Sequence, residues 1–195
     1  MDNTNKVPDF SAMAKDLTAN AQRYAGSESV KFFKESFVKE GFTDTSFTAW
    51  KKTSNPMAGK RTMYRTGTLM QSVRKVEQNK QRIVVESDTE YSELHNNGGT
   101  ITVTAQMKRF FWAKYYELSG KRKQTSSGKA SRSKYNVKTS AKAEFCKRMA
   151  LMKVGTKIKI PQRQFMGNSQ TMMNLFDAFW QGSVDIVFKQ HLNTK

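Results

Sequence analysis

The spacing of apolar side chains changes period several times along this chain, and that alternation excludes an all-helical or all-strand fold. Phe10, Met13, Leu17, Ala21 and Tyr24 recur at three- and four-residue steps, as do Val30, Phe33 and Phe37. Such spacing turns one face of a helix toward a core. Two helical stretches are predicted, with Gly26-Ser27 as a kink or break between them and Gly41 as the stop. Residues 42–64 read as irregular, with Phe47 and Trp50 as anchors and Asn55-Pro56 as a turn. A short helix opens at Thr66-Gly67-Thr68, with Thr68 or Thr66 as its cap and Leu69 and Val73 on one face.

From residue 73 the period is two. Val73, Lys75 and Glu77 alternate with Arg74 and Val76, and Ile83-Val84-Val85 is β-branched, so a hairpin turning through residues 78–81 is predicted. A further strand over Thr100–Thr104 is reached through Gly98-Gly99. Helical spacing returns over 105–118, with Met107, Phe110, Phe111 and Leu118 on one side and Trp112, Tyr115 and Tyr116 on the other. Phe145, Met149 and Met152 mark the next helix, and Lys157–Ile160 alternates as a strand stopped by Pro161. Met172, Phe176, Phe179 and Trp180 form the face of a helix ending near Gly182; Val184 to Phe188 fits either a helical continuation or a strand. The expected class is α+β: a small antiparallel sheet packed against a long N-terminal helix and further helices, in one domain of 195 residues.

Charge narrows the partners. The chain carries +18, and residues 118–176 hold fourteen basic residues against one acid, Glu144. Within that block, residues 119–140 have seven basic residues but only Tyr135 and Val137 as sizeable apolar groups. So little burial cannot offset ordering entropy, and a basic mobile loop or arm is expected there. Lys121, Arg122, Lys123, Lys129, Arg132, Lys134 and Lys138 are its candidate polyanion contacts. No helix-turn-helix, zinc finger or RNA-recognition signature accompanies them, so only non-specific nucleic-acid binding is supported. No apolar run reaches the roughly 18 residues of a membrane span, and the first thirty residues lack a signal-peptide core, so no membrane partner is expected.

The catalytic inventory is thin. Two histidines, His95 and His191, and one cysteine, Cys146, do not furnish a four-ligand zinc site, and a lone cysteine excludes an internal disulfide framework. Glu86, Asp88, Glu90 and Glu93 form the one acidic cluster and read as a solvated edge. Gly128-Lys129 lacks the strand and the preceding glycine of a phosphate loop. No enzyme, metal or cofactor is expected. A small hydrolase built around His95 is the weakest of the readings.

Three segments combine backbone punctuation with flanking apolar residues: Thr66 to Val73, Tyr91 to Gly99, and Ile160 to Gly167. Glycine supplies the positive φ such turns need, and proline fixes a strand end. In this order and spacing they resemble the phage virion morphogenesis family, which includes Mu G-like tail proteins and is akin to tail-completion and head–tail joining proteins. Members carry a Leu-x-x-x-Thr-Gly-x-Leu-x-x-Ser-Ile element, a Tyr-Ala-x-x-His-x-x-Gly-Gly element and an Ile-Pro-Ala-Arg-Pro-Phe-Leu-Gly element. The matching positions are Thr66, Gly67 and Leu69; Tyr91, His95, Gly98 and Gly99; and Pro161, Arg163, Phe165 and Gly167. Departures fall at Ser92, Gln162, Gln164 and Met166.

The resemblance implies an α+β protein of the virion, at the tail or head–tail junction, present in the bacterial host cytoplasm during assembly. It implies a ring-like homo-oligomer contacting tail-tube, tail-terminator or connector proteins, with no catalytic residues. His95 then reads as a structural group near the Asn96–Gly99 turn, and Arg163 as either an anchor of its turn or a subunit contact. A ring needs a heterologous interface. Its candidates are a sheet edge near Ile101 and Val103 and the aromatic face of Trp112, Tyr115 and Tyr116. The alternative is a non-specific nucleic-acid-binding protein using residues 121–138.

Overall fold

A computed structural model describes residues 9–79, 81–121, 124–129, 131 and 133–192. In chain order the elements are α1 (Phe10–Lys39), β1 (Gly41–Thr43), β2 (Phe47–Ala49), α2 (Thr68–Ser72), β3 (Val73–Gln78) and β4 (Ile83–Ser87). There follow α3 (Ser92–Asn97), β5 (Gly99–Thr102), α4 (Ala105–Gly120), α5 (Lys134–Leu151), β6 (Lys157–Ile160) and α6 (Gln170–Leu192). The class is α+β with a long N-terminal helix, as expected. The described strands form three separate antiparallel pairs, β1 with β2, β3 with β4 and β5 with β6. The chain makes two compact units: one from residues 1–50, 67–92 and 164–195, the other from 51–66 and 93–163.

The first unit is built on α1. Asp9 caps its start by accepting from the Ala12 N–H at 3.0 Å, and Glu40 closes it in the left-handed conformation, φ 55°. The predicted break at Gly26-Ser27 is absent, and the helix runs 30 residues without interruption. Tertiary packing on either side outweighs the weak propensity of glycine. Tyr24 stacks on Phe179 of α6 at 3.9 Å between centroids, and Phe37, fully buried, meets Trp50 at 5.5 Å and Phe165 at 5.0 Å. Gly26 is itself buried because the stem of Lys75 on β3 crosses it; a Cβ there would stand 2.8 Å from Lys75 Cδ.

Where irregular chain is predicted after Gly41, β1 and β2 pair instead, Gly41 opposite Ala49. The turn of that hairpin holds the start of α6: Asp44 Oδ1 accepts from the Gln170 N–H at 2.8 Å, and Ser169 Oγ donates to the Thr43 carbonyl at 2.8 Å. The β3–β4 hairpin forms as predicted, with a bulge that leaves Val76 unpaired between Lys75 and Glu77. Helix α6 does not end near Gly182 but runs on to Leu192, which assigns residues 184–188 to a helix. Val187 and Ser183, buried beyond and beside that glycine, keep it docked.

The second unit packs α4 on α5, with Phe111 edge-on to Phe145 at 6.1 Å and Ala143, Cys146 and Ala150 buried on α5. Helix α5 begins at Lys134, inside the stretch predicted as a mobile arm. Its first turns are secured by polar groups: Ser133 Oγ accepts from the Asn136 N–H at 3.3 Å, and Asn136 Nδ2 donates to the Ser131 carbonyl at 2.6 Å. Asn136 and Thr139 are buried, so order here needs no large apolar side chain. Arg122, Lys123 and Arg132 lie outside the described residues.

Candidate functional site

The first of the three punctuated segments is a helix start. Gly67 is the N-cap of α2 at φ 84°, a position read from sequence as belonging to Thr66 or Thr68. Its carbonyl accepts from the Gln71 N–H at 2.9 Å, and Leu69 and Val73 drop into the core of the first unit.

The other two segments come together in the second unit. Gly99 pairs with Ile160 in the β5–β6 register, and the Arg163 N–H donates to the His95 carbonyl at 2.8 Å. Gly98 stands at φ 73°, and a Cβ there would lie 2.8 Å from the backbone nitrogen of Gln162. The contact therefore requires glycine on two counts, conformation and space. Arg163 is 7% exposed, and its Nε donates to the Lys51 carbonyl at 3.0 Å. Of its two sequence readings, this bonding is that of an anchor. Burial first, then the charge of Arg163, holds the half-buried imidazole of His95 below its ordinary pKa, so it is neutral at pH 7.

Beyond Arg163 the segment belongs to the first unit. The Gln164 carbonyl accepts from the Trp50 indole N–H at 2.7 Å, Phe165 is buried against Phe37, and Gly167 stands at φ 143°. The chain passes from one unit to the other at 50/51, 66/67, 92/93 and 163/164, and the last three passages fall within or beside the punctuated segments. The passages at 50/51 and 163/164 run as neighbours, tied by one side-chain bond within each unit. Tyr91, next to the passage at 92/93, is exposed.

The basic candidates separate in environment. Lys121 donates to Glu117 at 2.6 Å, and with Lys114 at 2.7 Å it pulls that carboxyl down to about 2. Lys129 sits in a tight turn closed by the Thr125 N–H on its carbonyl at 2.7 Å. Lys134 and Lys138 are exposed on α5, one helical turn apart.

The candidate interface residues separate as well. Val103 is 1% exposed, and its backbone bonds in both directions, to Thr156 and Gly155 at 2.9 Å. It is core, which corrects its assignment to an edge. Ile101 is half-buried. Trp112, Tyr115 and Tyr116 pack mutually, with ring centroids 5.4 to 5.9 Å apart, and Tyr116 is 66% exposed.

Sequence reasoning missed one surface altogether. In the second unit β5, β6, α4, α5 and residues 51–55 enclose a groove of about 920 Å³. Ile101, Met107, Phe111, Phe145, Met149 and Ile158 form its apolar wall, and Lys51, Lys52 and Lys159 stand around it. None of its lining residues is acidic. Helical spacing had already grouped Phe145 with Met149 and Met107 with Phe111, but spacing within an element does not disclose which elements face each other.

Among the described residues no three His, Cys, Asp or Glu side chains gather as a metal site. Burial raises the Cys146 thiol above its ordinary pKa, against a smaller opposing effect of Lys114. Arg74 pairs with Asp88 at 2.9 Å on the exposed acidic edge. No helix among the described residues is long and apolar enough to cross a membrane. No family model, curated protein or solved structure matches the chain.

Proposed function

We propose that this chain is a virion structural protein of a phage or prophage, acting in tail completion or head–tail joining. It works by self-association and by binding tail-tube, tail-terminator or connector proteins, in the virion and in the host cytoplasm during assembly. The resemblance of the three punctuated segments supplies the reading. The observation that carries it physically is apolar surface left on α6, where Trp180 is 44% exposed and Met173, Val184 and Phe188 are also open on the same face. Clustered exposed apolar side chains on one helix mark an interaction surface. The side chains of Leu69, Arg163 and Phe165, by contrast, are spent inside the fold.

Sedimentation of the full chain over a hundredfold concentration range, after nuclease treatment, tests the assembly reading. Discrete oligomers are expected, and in a host carrying the phage, loss of the gene is expected to leave heads and tails unjoined. A monomer at every concentration, with normal virions in the absence of the gene, overturns it.

A second reading rests on Lys129, Lys134 and Lys138, exposed cations within the most basic stretch. These would make salt-sensitive, sequence-independent contacts to phosphates.

A further inference from the structure

Two surfaces of this chain complement each other in polarity and charge. The first is the groove of the second unit, apolar within and ringed by Lys51, Lys52 and Lys159. All three lysines are exposed, and no ion pair among the described residues engages them. Three cations beside an apolar trough favour a segment that is apolar along one line and acidic along its flank.

The second surface is such a segment. On α6, Met173, Trp180, Val184 and Phe188 fall at helical repeats and are all exposed, forming one stripe along about 24 Å of helix. Asp177 lies within that stripe and Asp185 beside it, both exposed and neither held by an ion pair among the described residues. Against them α6 carries one lysine, Lys189. In a chain of net +18, most approaches between copies are repulsive, so an acidic helix face meeting a basic trough is a favoured encounter.

We infer that the groove of one copy receives the exposed face of α6 from a second copy, with Asp177 and Asp185 facing Lys51, Lys52 and Lys159. The contact is heterologous, one patch meeting a different patch, and so propagates from copy to copy into a ring or filament. The inference rests on the self-association in the reading above and names the surfaces that perform it. The apolar stripe supplies the burial, and the charges set register and direction.

Charge reversal tests it on the full chain. One variant carries Lys51→Glu, Lys52→Glu and Lys159→Glu; the other carries Asp177→Lys and Asp185→Lys. All five positions are exposed, and circular dichroism confirms that each variant is folded. Each alone is expected to associate about tenfold or more weakly than the wild type by sedimentation. Mixed in equal amounts, they regain wild-type association, because each reversed surface then finds its complement on the other species. Trp180→Ser, which touches no charge, is expected to weaken association without rescue by either partner. Wild-type association that neither charge variant alters, or weakened variants that do not recover on mixing, overturns the groove-and-helix contact and leaves self-association standing. A wild type that never associates overturns both.

Discussion

A Cβ on Gly98 would stand 2.8 Å from the backbone nitrogen of Gln162, a residue 64 positions further along the chain. The approach lets the Arg163 N–H reach the His95 carbonyl and the β5–β6 pair start at Gly99. At φ 73° an alanine is also strained. Gly98→Ala is therefore expected to cost about 2–4 kcal/mol, and Tm to fall by about 5–15 °C in a thermal melt.

Gly26 makes the opposite prediction. Its missing Cβ faces the far end of Lys75, a flexible exposed side chain, and the helix around it is regular. Lys75 can swing away. Gly26→Ala is expected to stabilise by about 0.5–1 kcal/mol and to raise Tm by about 1–4 °C. A fall in Tm would show that the Lys75 stem has no alternative position.

Removing the buried Arg163 guanidinium leaves the part-buried Lys51 carbonyl without its donor. Arg163→Met is expected to lower stability by about 1.5–3 kcal/mol, read as a shifted urea midpoint. Self-association measured well below that midpoint is expected to stay at the wild-type level, because Arg163 acts as an anchor rather than a contact.

The depressed pKa of His95 fixes the sign of a pH effect. Burial and Arg163 disfavour the imidazolium in the folded chain, so the unfolded chain binds the proton more readily. This group's contribution to stability is complete above the ordinary histidine pKa of about 6.5 and is lost as the pH falls from there toward the folded value. Denaturant titrations between pH 7.5 and 5 are expected to show a steeper loss for the wild type than for His95→Gln. Equal slopes would mean that His95 titrates as it does in the unfolded chain.

The loop before α5 offers a clean cut between assembly and polyanion binding. Because α5 begins at Lys134 and its first turns are tied to Ser131, removing residues 120–139 would take them, whereas replacing 121–129 with a short Gly-Ser linker spares them. The replacement is expected to leave the oligomer mass unchanged. Retention on DNA that is equally salt-sensitive after the replacement would remove this loop from any nucleic-acid contact.

Much of this fold was legible in the period of the apolar residues. Phe33 and Phe37 marked the inner face of α1, Ile83 to Val85 marked β4, and Ile158-Ile160 before Pro161 marked β6. The failures share a cause: groups whose role depends on what lies opposite. Gly26 reads as a break until Lys75 is seen lying across it. Asn136 reads as part of a mobile arm until Ser131 and Ser133 are seen tying down the turn. Val103 looked like an edge residue because alternation places it on a strand face without saying that Gly155 and Thr156 take up its backbone groups. The groove was illegible for the same reason, since four elements and a loop supply it.

The order in which the ribosome delivers the pieces matters for a chain that passes between its units four times. The second unit is complete once residue 163 has been made, yet α1, translated well before it, must wait for α6 before Tyr24 can meet Phe179. Until then an aromatic flank of α1 stands open to other nascent chains, a hazard common to folds closed by distant segments. Slowing synthesis after residue 163 would prolong that exposure, and a chaperone that shields aromatic helices would have its greatest effect in that interval.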